Sequence, residues 1–288
     1  MDLAAHGRVV DVVERDARLH TVEHHEWVGS TNDVALARLR EGVAPGLVVV
    51  ADRQTAGRGR RGRRWVDDVD GPSGPANLAV TVALALAGPH VGQVPLATGL
   101  AVRDAVLAVA SDVEVVLKWP NDVLVRAPAA DGTVGEADER KLAGILCERH
   151  HLDGHPDGHP DGQAVVLIGC GINVDRRGIE PDADTARWGS IAEVVAREVD
   201  RGAVLAALLA ALPDRVERAL AADPEHRTAY RAVCSTIGRR VRVDHADGSS
   251  IVGEAVDVGE DGRLVVDTGH GREHIAAGDT THLRPATG

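Results

Sequence analysis

The sequence predicts an α+β protein in two parts, a larger sheet-and-helix portion over residues 1–235 and a small β-barrel over residues 236–288. Three observations predict it. Apolar runs of strand length, at Leu47 to Asp52, Asn77 to Leu86, Val113 to Leu117 and Ala164 to Val174, alternate with stretches of helical spacing. Three helical segments then close the larger part, between Ser190 and Val233. Near Gly238 the pattern changes to short alternating segments divided by Asp247-Gly248 and Asp261-Gly262, which are hairpin turn signals.

The chain has 288 residues, 44% hydrophobic and 26% charged, enough to bury a substantial core. Phe is absent, with one Met and one Tyr, so that core is built from Val, Leu, Ile and Ala. There is no apolar run of about 18 residues, and charges are spread through the N-terminal stretch, which argues against a membrane span or a secretory signal and for a cytoplasmic protein. Cys147, Cys170 and Cys234 are widely spaced and form no C-x-x-C, so they read as small buried residues rather than disulfides or zinc ligands.

Taken in order, residues 1–18 leave no room for a helix-turn-helix, so no DNA binding is expected from them. Ser30-Thr31-Asn32-Asp33 is a cluster of N-cap residues before Val34, Leu36, Ala37 and Leu39, and Gly42 closes that helix. The cluster caps the helix or holds a small polar ligand. A strand from Leu47 precedes the loop Gln54 to Trp65, and Asn77 to Leu86 is a second buried strand. Pro95 to Ala110 reads as a helix. Val113 to Leu117 runs into Lys118-Trp119-Pro120-Asn121-Asp122, where the proline ends the strand and gathers polar groups at its tip, and Val123 to Val125 resumes it. Ala127 to Glu139 is a loop, and Lys141 stands at the entrance of an apolar strand, KLAGILCE. The repeat DGHPDGHPDG from Asp153 to Gly162 denies its histidines a common face and reads as exposed low-complexity loop rather than a metal site. Gly169 and Gly171 interrupt the strand Ala164 to Val174, through a close ligand or a bulge. Ser190 and Glu193 fit a capping box.

The loop QTAGRGRRGRRW holds Gly57, Gly59 and Gly62 and the arginines Arg58, Arg60, Arg61, Arg63 and Arg64, in a chain of formal net charge -12. Glycines let backbone N–H groups approach anionic oxygens, and Arg matches phosphate geometry bidentately, so the loop suits a polyphosphate. Its glycines spell G-x-G-x-x-G, but no helix opens directly behind them, which excludes a dinucleotide fingerprint, and no kinase motif set follows. A basic patch for RNA is the remaining rival, weakened by the acidic balance of the chain. No nucleophile paired with a base stands out. Cations and positioning without a protein nucleophile suit carboxylate attack on the α-phosphate of ATP, with Mg²⁺ accompanying the nucleotide.

Together, STND, QTAGRGRRGRRW, KWPNDVLV, KLAGILCE and GCGINV resemble the biotin protein ligases from about Trp27 onward. The resemblance implies a mixed-sheet catalytic domain of the biotin/lipoate ligase type followed by an SH3-like barrel. It implies biotin and MgATP as substrates and a biotin carboxyl carrier domain as partner. By similarity, Ser30, Thr31, Asn32, Gln54, Gly169 and Gly171 are biotin contacts, with Arg58 and Gly59 in the loop that folds over the adenylate. Arg60 and Lys141 are the groups expected to hold carboxylate and α-phosphate together. Arg61, Trp65, Lys118, Asn121, Asp122 and Asn173 are expected on the nucleotide, with any Mg²⁺ near Asp122. The residues 70–75 and 127–139 are longer than the usual connections, and the winged helix of repressor-type members is not expected. A lipoate ligase of the same fold is the nearest alternative.

Overall fold

The computed structural model describes residues 9, 11–65, 70–72, 74–126, 139–151, 164–182, 185–245, 247–276 and 278–283. Residues 127–138 of the expected loop 127–139 and the histidine repeat 153–162 lie outside the described residues, and Glu139 already belongs to a strand. A seven-stranded sheet organises the larger part. Its strands are β1 (Thr21–Val28), β2 (Leu47–Gln54), β5 (Asn77–Leu86), β6 (Glu114–Lys118), β7 (Asp122–Arg126), β8 (Glu139–His150) and β9 (Ala164–Asn173). The order is β1-β2-β5-β9-β8-β7-β6; β1 and β2 are parallel and every other neighbour is antiparallel, so the sheet is mixed. A two-residue pair, β3 (Asp70–Gly71) with β4 (Gly74–Pro75), forms a small tongue behind the arginine loop.

Both faces of the sheet are covered, which is why its central strands read as unbroken apolar runs. Val48 and Val50 of β2 and Val166, Ile168, Cys170 and Ile172 of β9 enter the main core. That core is closed by α2 (Val94–Val109) and α4 (Arg201–Leu220). Leu47 and Val49, with Val165, Leu167 and Ala83, point to the other face and pack under Ala35 and Leu39 of α1 (Thr31–Arg40). The short α3 (Ile191–Val195) carries the expected capping box, with Ser190 Oγ accepting from Glu193 N, and α5 (Pro224–Val233) precedes the second sheet. Gly42 follows α1 at φ +96, the left-handed position a helix-closing glycine takes.

The second sheet has β10 (Arg240–Asp244), β11 (Ser250–Val258), β12 (Leu264–Asp267), β13 (Arg272–Ile275) and β14 (Asp279–His282), all antiparallel in the order β13-β12-β11-β10-β14, consistent with a small SH3-like barrel. It is clamped to the larger sheet. Trp119, 1% exposed, donates its backbone N–H to Thr236 Oγ1 at 3.0 Å and its indole N–H to Gly262 O at 3.0 Å. Arg239 pairs with the buried Glu139 at 2.7 Å, and Ser235 N donates to Leu117 O at 2.7 Å.

The structure corrects three expectations. Residues Thr21–Val28 form an edge strand where none was expected. Strand β9 is continuous, pairing residue by residue with β5 and β8 through Gly169 and Gly171, so no interruption or bulge lies there. Lys141 does not open its strand, because β8 begins at Glu139. The bulge is in β8 instead: Val123 pairs with Ala143 but Leu124 pairs with Lys141, leaving Leu142 as the extra residue.

Candidate active site

The apolar face under α1 stops where its residues become small. Along β9 the same-face positions run Val165, Leu167, Gly169, Gly171, and Gly144 of β8 pairs directly with Gly171. Removing those side chains leaves a cavity of about 490 Å³. Strand parity would put Lys141 and Gly144 on opposite faces, three residues apart. The extra residue at Leu142 shifts that parity and turns both toward the cavity. A Cβ on Gly144 would lie 3.3 Å from Lys141 Cε, which confirms the shared side.

One end of the cavity is polar and neutral. Ser30, Thr31 and Asn32 come from the start of α1 and Gln54 from the end of β2, all at least 94% buried. Ser30 sits at the N-cap position, yet its side chain makes no cap hydrogen bond, so its hydroxyl is not spent on the helix. Gln54 Oε1 accepts from Thr31 N at 2.8 Å and lies 3.2 Å from Thr31 Oγ1. Asn32 Nδ2 donates to Glu148 at 2.6 Å, and Thr81 Oγ1 donates to Asn32 Oδ1 at 2.6 Å.

The other end is cationic. Arg58, Gly59, Arg60, Arg61, Arg63 and Arg64 line it together with Asn121 and Lys141, and Asp122 is the one carboxylate in the lining. Lys141 Nζ lies 2.7 Å from Asp122 Oδ1. Arg60 approaches Asn121 Oδ1 at 3.5 Å, and burial lowers its pKa, offset in part by Asp122. The loop is moored at two points. Arg58 makes a bidentate pair with Asp33, at 2.6 and 2.7 Å, which holds the Asp33 carboxyl below the usual range. Arg61 donates to Asp244 O of the second sheet at 2.8 Å. Between the ends, Trp65 lies flat over Gly171 and Gly144 and stacks on Trp188 with centroids 4.6 Å apart.

Lys118 and Asn173 stand behind the wall rather than among the lining residues. Asn173, fully buried, donates to Lys141 O and Gly189 O at 3.1 Å each and so braces the backbone on either side of Lys141. Burial lowers the pKa of Lys118, with the Lys141 and Arg187 charges acting in the same direction and Asp122 against them. Lys118 and Lys141 are the only lysines in the sequence, and both stand at this site. Sequence reasoning missed Trp188, Gly144, Thr81 and Glu148. Trp188 was open to detection as one of only four tryptophans; a threonine and a glutamate within strands carry no such signal. Among the described residues no three His, Cys, Asp or Glu side chains cluster as metal ligands. No helix among the described residues is long and apolar enough to cross a membrane.

Comparison with known proteins agrees with this arrangement. Residues 26–173 match the Biotin/lipoate A/B protein ligase family, and residues 236–282 match the Biotin protein ligase C terminal domain. The chain is 36% identical over 262 residues to the biotin--[acetyl-CoA-carboxylase] ligase of Mycobacterium tuberculosis, covering 89% of this chain and 86% of that protein. It is 31% identical over 192 residues to the bifunctional ligase/repressor BirA of Escherichia coli, covering 66% of this chain and 51% of that protein. The solved biotin protein ligase from Aquifex aeolicus in complex with biotin and ATP has a TM-score of 0.69 at 26% identity, covering 93% of this chain and 100% of that one. A cavity with a polar neutral end and an arginine-walled end, on a mixed sheet clamped to a small antiparallel one, thus accompanies sequence matches along both parts, and the chain belongs to the biotin/lipoate A/B protein ligase family, on its biotin protein ligase branch.

Proposed function

We propose that this protein joins biotin to a lysine of a biotin carboxyl carrier domain at the expense of ATP, with the chemistry in residues 1–235 and the barrel of residues 236–288 bracing it. In the first step an oxygen of the biotin carboxylate attacks the α-phosphorus of ATP; the new P–O bond forms as the bond to pyrophosphate breaks, giving biotinyl-5′-adenylate. Two like unit charges 4 Å apart repel by about 4 kcal/mol at an effective dielectric near 20, so fixed cations between them are the main requirement. Lys141 and Arg60, at the cationic end, are the groups that would stand against both anions, with the ureido ring in the neutral end and the triphosphate among the other arginines. The single observation that carries this reading is the bulge at Leu142, which turns Lys141 into a cavity whose lining holds one carboxylate against that lysine and five arginines. Asp122 accounts for the one carboxylate, and it is the protein group that would help hold a Mg²⁺ arriving with ATP, an ion that would offset phosphate charge.

In the second step the carrier lysine attacks the carbonyl carbon of the adenylate, forming the amide and releasing AMP. The mixed anhydride must be kept from water until then, which is the task of the moored arginine loop. Trp65 is the aromatic expected beside the adenine, and its stacking on Trp188 would extend that face into a wall. The test is an incubation of the protein with ATP, a carrier domain and either biotin or lipoate. Pyrophosphate release together with a carrier mass gain of one biotin supports the proposal. Turnover with lipoate alone overturns it in favour of a lipoate ligase, and salt-sensitive RNA binding without ATP consumption overturns it in favour of a binding protein.

A further inference from the structure

We infer that Thr81, which does not reach the cavity, selects the ligand by fixing which way the Thr31 hydroxyl points, so that this site demands a ring N–H; the inference rests on biotin being the substrate. The argument follows the protons. Glu148, a carboxylate, accepts, so the Asn32 group facing it at 2.6 Å is the Nδ2 donor and the opposite end of that amide is Oδ1. An amide oxygen also only accepts, so Thr81 donates its one proton across the 2.6 Å contact to Asn32 Oδ1. The Thr81 and Thr31 hydroxyl oxygens lie 2.8 Å apart, a distance that needs a proton between them. With the Thr81 proton engaged at Asn32, the proton in that 2.8 Å contact is Thr31's own, donated to Thr81 Oγ1 in preference to the longer 3.2 Å contact with Gln54 Oε1. Thr31 therefore spends its proton within the protein and shows the cavity a lone pair. A ureido N–H satisfies that lone pair; a ring oxygen in the same place meets it with repulsion. Thr81 is fully buried at the centre of β5 and pairs with Gly169 of β9, so its hydroxyl is held by the sheet itself. It is a positioning residue acting through Thr31 and Asn32.

The experiment is calorimetric titration of the full chain, wild type, Thr81→Val and Thr81→Ser, with biotin and with the two cyclic carbamates in which one ring N–H of biotin is replaced by oxygen. Val matches the shape of Thr and suits a strand, and thermal unfolding checks that the variants fold. Wild type is expected to bind biotin at least tenfold more tightly than the carbamate that puts oxygen against Thr31. Thr81→Val is expected to bind biotin about tenfold more weakly while that carbamate loses nothing, so the discrimination collapses, and Thr81→Ser restores it. Unchanged biotin affinity in Thr81→Val, or equal weakening for biotin and both carbamates, overturns the relay alone. Failure of the wild-type protein to bind biotin overturns the substrate reading and, with it, the relay.

Discussion

At the scale of single residues, the site separates groups that meet charge from groups that aim them. Lys141 is held 2.7 Å from Asp122 on β8, which is fixed by backbone pairing to β7 and β9. Lys141→Ala is therefore expected to reduce pyrophosphate release by at least about a hundredfold, because the lost cation faces two anions at once, while the melting temperature moves by no more than about 3 °C. Near-normal turnover by that variant would remove Lys141 from the chemistry. Arg60 sits on the loop with its guanidinium against Asn121. Arg60→Gly should still form adenylate but lose its grip on it, so that mass spectrometry finds label on lysines of bystander proteins; labelling confined to the carrier would refute that role. The motif residues were legible in the sequence because charge and glycine are rare enough in combination to stand out. Thr81 and Glu148 were not, because their contribution is the direction of a hydrogen bond, a property of partners brought from distant strands rather than of residue type.

Elements show a similar division. Strands β2 and β5 and helices α1, α2, α4 and α5 lie within a few residues of where apolar period and capping signals put them. The edge strand β1 has the sequence TVEHHEWV, with too many polar residues to resemble a buried strand, and β14, DTTH, has no apolar residue at all. Both exist because a neighbour supplies the pairing, which no local pattern records. The glycines of β9 announced a close approach, but what approaches is Trp65, from a loop more than a hundred positions earlier in the chain. A methyl group on Gly171 would overlap the indole, so Gly171→Ala is expected to displace Trp65 and weaken ligand binding at least tenfold. The fluorescence of Trp65 should shift while far-ultraviolet circular dichroism stays unchanged; wild-type affinity in that variant would mean that Trp65 does not shape the ligand site.

At the scale of the whole molecule, the second sheet meets the larger one beside the cavity, where Arg61 donates to Asp244 O and Gly278 joins the lining. His282 of the second sheet lies between Arg239, at 2.7 Å, and Thr236, at 3.1 Å. Burial pushes its pKa down to about 4, and the Lys118, Arg239 and Arg187 charges act in the same direction while Glu139 opposes them. A free imidazole titrates near about 6.5, so the unfolded chain binds the proton first as the solution is acidified. The stability tied to a neutral His282 is complete above about pH 6.5 and is lost progressively as the pH falls toward 4. His282→Asn should accordingly show a shallower decline of melting temperature between pH 6.5 and 4.5 than wild type, by a few degrees; parallel declines would exclude His282 as a contributor. A last consequence follows from the placement of Lys118 and Lys141. An activated acyl group that escapes the arginine loop meets no lysine side chain in this sequence beyond those two at the site, so stray label should fall chiefly on neighbouring proteins.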